Sequence, residues 1–222
     1  MKGASTKDGS RRSNFMVRRR YRLRFRKKGN LCFIGHRDLL RAMERLLRRA
    51  DLPVAKSQGF HPKPKVSYIS ALPLGFASDD EAMELVLDED WAPETLLDRM
   101  NAASVPGLEF WQATPLDDKA PKAQAAAFEY EMAVPESKRE ATSAKIAEFL
   151  AATSVEVVKS NGKTVDARPA VLATTLDDGT LRMKIAAQDG PEAGVREILS
   201  VLELDGELFR SIFPNRTATL VK

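Results

Sequence analysis

Two histidines are the side chains of this sequence best suited to proton transfer. His36 lies where a helix is predicted to begin, and His61 lies in a proline-containing loop, with cations near both. A neutral imidazole beside a bound phosphate can act as a general base toward a ribose 2′-hydroxyl, while arginines stabilise the developing negative charge. That is the chemistry of a metal-independent ribonuclease. The alternative is structural, with His36 capping its helix or bonding a neighbour and His61 stabilising its loop.

Arginines at alternate positions form a second group. Between residues 17 and 27, Tyr21, Leu23 and Phe25 alternate with arginines, which is the pattern of a strand with one buried and one cationic face. The cationic set is Arg20, Arg22, Arg24 and Arg26. Guanidinium groups bind phosphates through paired hydrogen bonds and stack on bases, so this open sheet face is a candidate RNA-binding surface.

These strand arginines also have a structural interpretation. Glu84 and Glu109 lie on the strands expected to flank this one. The arginines could therefore form a cross-strand ladder of salt bridges, or pack against the second half of the chain.

A predicted amphipathic helix over residues 37–49 carries a further arginine stripe. Its apolar residues recur at helical spacing from Leu39 to Leu47. An advance of about 100° per residue places a cationic set on the opposite face. The members of this set are Arg37, Arg41, Arg45 and Arg48.

A stiff basic loop is predicted over residues 57–65, because Pro62 and Pro64 fix their own backbone and hold their predecessors extended. Gln58, Lys63 and Lys65 of this loop are predicted to contact RNA together with the two arginine sets.

The charge distribution supports a polyanionic partner. The 222 residues carry a net charge of only +4, but the first 65 contain 20 Lys+Arg against 4 Asp+Glu. The remaining 157 residues contain 15 Lys+Arg against 27 Asp+Glu, so the two parts carry +16 and −12. A segment this basic indicates nucleic-acid binding.

Composition excludes several other classes. The single cysteine, Cys32, rules out an intrachain disulfide and any site built on several thiolates of one chain, including zinc and iron–sulfur sites. No dinucleotide or phosphate-loop glycine motif occurs, and no apolar run is long enough to span a membrane. We therefore expect a soluble cytoplasmic protein with no cofactor, no metal and no membrane contact.

The order of predicted elements gives the fold class. Residues 1–16 are predicted to be a disordered basic tail. Residues 17–113 are predicted to have a β-α-β-β-α-β order, which is that of the ferredoxin-like unit. Residues 114–127 are predicted to be a linker, and residues 128–222 an acidic repeat of the same theme. The prediction is an α+β protein of tandem ferredoxin-like (βαββαβ) domains with antiparallel sheets.

Several of these segments carry a family resemblance. They are residues 22–29 (RLRFRKKG), 33–40 (FIGHRDLL), 48–54 (RRADLPV), 57–67 (SQGFHPKPKVS), 72–75 (LPLG) and 166–169 (DARP). Together they resemble the radical-SAM-associated domain family of unknown function, which occurs as a C-terminal appendage of B12-binding-type radical SAM proteins and as free-standing chains. The family usually has Ser where this chain has Gly35. The resemblance implies a radical SAM protein as partner and a connection to RNA metabolism.

Three functional hypotheses follow. The first is a noncatalytic RNA-binding adaptor that could present RNA to a radical SAM enzyme. The second is a metal-independent endoribonuclease using His36 or His61, for which a looser similarity to the ferredoxin-like endoribonucleases of CRISPR systems is an analogy of fold and residue type. The third is a protein-interaction module that docks on a radical SAM partner.

Overall fold

The computed structural model describes residues 18–117, 119–187, 193–206 and 212–222. The predicted tail over residues 1–16 lies outside these ranges, as does the start of the last predicted helix at residues 191–192.

The first half of the chain alternates strands and helices. Its elements are β1 (Arg19–Lys27), α1 (His36–Arg49), β2 (Val66–Tyr68), β3 (Ala77–Leu87), α2 (Pro93–Ala102) and β4 (Leu108–Leu116). β1 forms because its apolar side chains fall on one face, where Tyr21, Leu23 and Phe25 are buried. α1 buries Leu39, Met43 and the leucines that follow against the same core, as its spacing predicts.

The second half has the same general sequence of elements with one insertion. They are β5 (Ala125–Ala133), α3 (Glu136–Ala151), β6 (Glu156–Val158), β7 (Thr164–Asp166), β8 (Val171–Asp177), β9 (Thr180–Ala186), α4 (Val195–Val201) and β10 (Asn215–Val221). β6 and β7 form a separate two-stranded hairpin between α3 and β8. A second apolar core lies between this half's strands and α3 and α4.

One eight-stranded sheet runs through both halves in the order β4-β1-β3-β10-β5-β9-β8, with β2 on part of β3. Pairing is antiparallel everywhere in this sheet except between β3 and β10. The α+β class and the mostly antiparallel sheet are confirmed. The division into two ferredoxin-like domains stays a prediction, because parallel pairing of β3 with β10 joins the halves into one sheet.

The predicted linker is shorter than expected. β4 extends to Leu116 and β5 begins at Ala125, so both strands enter the range 114–127.

A buried ion pair lies where the two halves meet. Arg216 of β10 and Glu81 of β3 are 2% and 4% exposed, and Nη1 of Arg216 lies 2.9 Å from Oε1 of Glu81. The guanidinium also donates to the hydroxyls of Tyr130, at 2.9 Å, and Ser70, at 2.7 Å, and lies 4.1 Å from the ring centroid of Phe128. With its charge paired and its N–H groups bonded, Arg216 can stay buried and fix the two halves together.

Candidate nucleic-acid interface

The β1 arginines face acidic side chains of the neighbouring strands. Arg22 pairs with Glu84 at 3.0 Å across β3, where the two residues lie opposite each other. Arg26 pairs with Glu109 at 3.0 Å across β4, again between opposed residues. These contacts match the salt-bridge interpretation of the strand arginines, and an RNA-binding role for them stays a prediction.

The other two arginines of the predicted cationic set, Arg20 and Arg24, are bonded within the protein as well. Arg24 lies 2.5 Å from Asp80 and donates to the carbonyl of Thr219 at 2.9 Å, which links β1 to β3 and β10. Arg20 donates to the carbonyls of Asp117 and Ala120 after β4. An RNA phosphate would therefore have to displace partners that the folded chain already supplies.

The arginines of α1 are differently placed. Arg37, Arg45 and Arg48 are exposed, and no hydrogen bond or ion pair holds them among the residues that the structure describes. Arg41 has one exposed partner, Asp38, at 3.4 Å. Exposed pairs at this spacing contribute little, so the α1 stripe is a surface of largely uncommitted positive charge.

The basic loop is an ordered hairpin rather than an irregular connection. The backbone N–H of Ser57 donates to the carbonyl of Lys63 at 2.8 Å, and the N–H of Lys63 donates back to the Ser57 hydroxyl at 3.0 Å. A further bridge joins Lys56 with Pro64. We call residues 56–65 the basic loop.

An aromatic side chain occupies the tip of the basic loop. Phe60 is fully exposed, at 102% of the reference area, and His61 beside it is exposed too. Gly59 has φ +123°, a conformation that favours glycine, and it turns the chain at this tip. Predicted contact residues Gln58 and Lys63 flank the aromatic residue and are exposed.

The base of the basic loop contacts α1. Tyr68, on the strand that leaves the loop, lies edge-on to the ring of His36 with 6.0 Å between centroids. Burial raises the pKa of Tyr68, and the nearby Glu44 carboxylate of α1 adds to this, so the phenol stays neutral. Lys65 at the base is half-buried, and its N–H donates to the carbonyl of Ala55 at 2.7 Å. The strand that follows the basic loop therefore contacts the start of α1 through Tyr68 and His36.

The two histidines have different surroundings. The Nδ1 of His36 is buried without a hydrogen-bond partner among the described residues, while His61 is exposed at the loop tip. No hydrogen bond joins the two rings in the part of the chain that the structure describes. A catalytic role for His36 or His61 stays a prediction.

The other candidate sites have less support for a function. Within the described ranges no cluster of three His, Cys, Asp or Glu side chains could hold a metal ion, and no helix is long and apolar enough to cross a membrane. Cys32 is buried, and burial raises the pKa of its thiol. In the segment 166–169, the Asp166 carboxylate accepts hydrogen bonds from the backbone N–H groups of Val155 and Arg168, which orders a bend.

Phe60 and Arg216 are the residues that sequence reasoning missed. The sequence around Phe60 could have indicated a binding role, because residues 52–78 contain no acidic residue and few apolar residues lie at the centre of this stretch. No sequence pattern could have indicated the role of Arg216, because its partner Glu81 is 135 residues away.

The match to a protein family covers most of this surface and its supporting sheet. Residues 20–196 match the family described as "Uncharacterized protein conserved in bacteria (DUF2344)". The chain belongs to the DUF2344 family. The match includes α1, the basic loop and Glu81, and it ends before β10 of this DUF2344 protein. The family description names no activity and no radical SAM partner.

Comparison with curated proteins gives no match for this DUF2344 protein. Among solved structures, it is similar to one described as "Crystal Structure of an Unknown Protein from Galdieria sulphuraria", at 13% identity over 90% of this chain and 99% of that chain. The TM-score of 0.27 is too low for that structure to bear on the fold or the function.

Proposed function

We propose that this DUF2344 protein is a noncatalytic RNA-binding adaptor whose contact surface is α1 together with the basic loop. The observation that carries the proposal is the contrast between two arginine sets. The β1 arginines have partners inside the protein, whereas Arg37, Arg45 and Arg48 of α1 project from an exposed face without any among the described residues. Unpaired guanidinium groups are available to replace the counterions of a polyanion.

The shape of the surface suits a nucleic-acid backbone. From Arg37 to Arg48 the α1 stripe is about 16 Å long at a rise of about 1.5 Å per residue. The basic loop contributes Lys56, Lys63 and Lys65. A phosphate backbone lying along α1 would therefore meet cations over several nucleotides.

Salt-dependent binding tests this proposal. Anisotropy of a fluorescently labelled RNA should report binding that weakens with KCl, by about 0.7 to 0.9 log units per tenfold salt for each phosphate contact. Replacing Arg37, Arg45 and Arg48 together by Ala should reduce that slope by about 2. The matched control replaces three exposed lysines elsewhere in the chain and changes the net charge equally; they are Lys122, Lys163 and Lys222.

Absence of RNA binding even at low salt would contradict the proposal. Equal losses in the α1 variant and the control would show that binding follows total charge and not the α1 surface.

Presentation of RNA to a radical SAM enzyme in the cytoplasm is the further part of the proposal, and it is supported only by the family resemblance. Purification of the tagged full chain from cells, with and without ribonuclease treatment, tests it. A radical SAM protein that copurifies only when RNA is intact supports the adaptor role. Copurification that survives ribonuclease would favour the protein-docking hypothesis instead.

The endoribonuclease hypothesis is tested by the same preparations. Intact RNA after long incubation in EDTA is the expected result for an adaptor. Cleavage that disappears in His36→Ala or His61→Ala protein would replace the adaptor by a nuclease.

A further inference from the structure

Phe60 differs from the other exposed apolar side chains in how completely it is held in solvent. Among the described residues, the next most exposed aromatic side chains are Phe33, at 59%, and Trp111, at 39%. Phe33 keeps a ring contact with Phe213, at 5.3 Å between centroids. Single exposed apolar residues are common, so exposure alone assigns no role to Phe60.

The conformation of the basic loop holds the Phe60 ring in solvent. The reciprocal bonds between Ser57 and Lys63 close the loop, and Pro62 fixes the backbone just beyond the tip. The ring of Phe60 is thereby presented by an ordered hairpin, so a partner that covers it would not first have to order the loop.

The charge around Phe60 identifies the chemistry of that partner. No acidic residue occurs between positions 52 and 78, whereas Lys56 and Lys63 lie on either side of the tip in the sequence. A purely apolar protein surface would leave these cations unpaired on contact. An aromatic face flanked by cations is how single-stranded nucleic acids are bound, with bases stacked on the ring and phosphates beside it.

We propose that Phe60 stacks on an unpaired base, so that this protein binds single-stranded or loop RNA in preference to duplex RNA. This inference rests on the proposed RNA-binding function and adds its substrate class. In duplex RNA the bases are already stacked on one another, and their faces are closed to the ring of Phe60. Phosphates of the same strand continue onto the arginines of α1.

The test compares single-stranded and duplex RNA of one sequence, using labelled oligonucleotides and the full chain. Wild-type protein should bind the single strand more tightly, and Phe60→Ala should weaken that binding by about 5- to 100-fold while leaving duplex binding within twofold. Phe60→Trp should retain the affinity and Phe60→Leu should not, because stacking needs a planar ring. The salt slope should stay unchanged in Phe60→Ala, since no phosphate contact is lost.

Trp111→Ala on β4 is the matched control, because this exposed aromatic lies away from the basic loop on the sheet. Unchanged single-strand affinity in Phe60→Ala, or full affinity in Phe60→Leu, would overturn the stacking proposal while RNA binding itself stands. A loss in Trp111→Ala alone would transfer base stacking to the sheet. Failure of wild-type protein to bind either RNA would overturn both this inference and the function it rests on.

Discussion

Replacing Arg24 by Met tests whether the β1 arginines support the fold. The Asp80 carboxylate accepts a hydrogen bond from Arg24 at 2.5 Å and one from the backbone N–H of Thr219 at 2.8 Å. The variant would leave Asp80 without its cation and would deprive the Thr219 carbonyl of a donor. It would thus weaken a junction between β1, β3 and β10.

The exposed fractions of the two side chains indicate how much unfolding free energy Arg24→Met should lose. The side chains of Arg24 and Asp80 are 20% and 11% exposed, and removing one partner of a buried ion pair costs about 3 to 5 kcal/mol. The remaining exposure puts Arg24→Met at the lower end, about 3 kcal/mol. Urea unfolding followed by circular dichroism should show a midpoint lower by roughly 1 M.

Arg26→Met is the control for this experiment. Arg26 is 41% exposed and pairs with Glu109, which is 58% exposed, and at 3.8 Å with Asp79, which is 32% exposed. The loss of these two surface pairs should cost only about 0.5 to 1 kcal/mol. Pairing Arg24→Met with Asp80→Asn should recover part of the stability, because no unpaired charge then remains. Equal midpoint shifts in the two single variants would refute the reasoning. A stable Arg24→Met protein that no longer binds RNA would instead make Arg24 a binding residue.

Two further predictions concern the junction between the halves and the second half itself. Arg216→Met should lower the free energy of unfolding by about 3 to 5 kcal/mol, because Glu81 would remain buried without its cation; a loss below about 1 kcal/mol in chemical denaturation would contradict this role. Hydrogen bonds from the N–H groups of Val155 and Arg168 lower the pKa of Asp166 from 3.8. The ionised Asp166 therefore stabilises the folded protein at pH values above the unfolded pKa, and this contribution is lost as the pH falls through the lower folded pKa. Unfolding midpoints below pH 4 should therefore fall more steeply in wild-type protein than in Asp166→Asn, and identical pH profiles would count against the assignment.

Local periodicity made much of the fold predictable. Tyr21, Leu23 and Phe25 are buried at alternate positions, and Leu39, Met43 and Leu46 are buried at helical spacing, as the sequence indicates. Such patterns depend on neighbours within one element and can be recognised without knowing what packs against them. The pairing of β3 with β10 depends on contacts between residues far apart in the sequence, and no local pattern predicts it.

The candidate site was predictable as a set of charges but not as a set of contacts. Arg37 and Arg24 look alike in the sequence, since each belongs to a periodic cationic face. Only the fold shows that Arg24 meets Asp80 while Arg37 meets solvent. The distinction depends on strand register, which places the acids of β3 and β4 beside β1.

Ultraviolet crosslinking of the full chain to RNA, followed by mass spectrometry of the crosslinked peptides, tests the central claim most directly. The α1 and basic-loop surface predicts crosslinks within residues 36–65, with Phe60 among the modified positions because stacked aromatic rings are close to the base. Crosslinks confined to β1 or to the acidic second half, or none at low salt, would contradict that surface as the place where RNA binds.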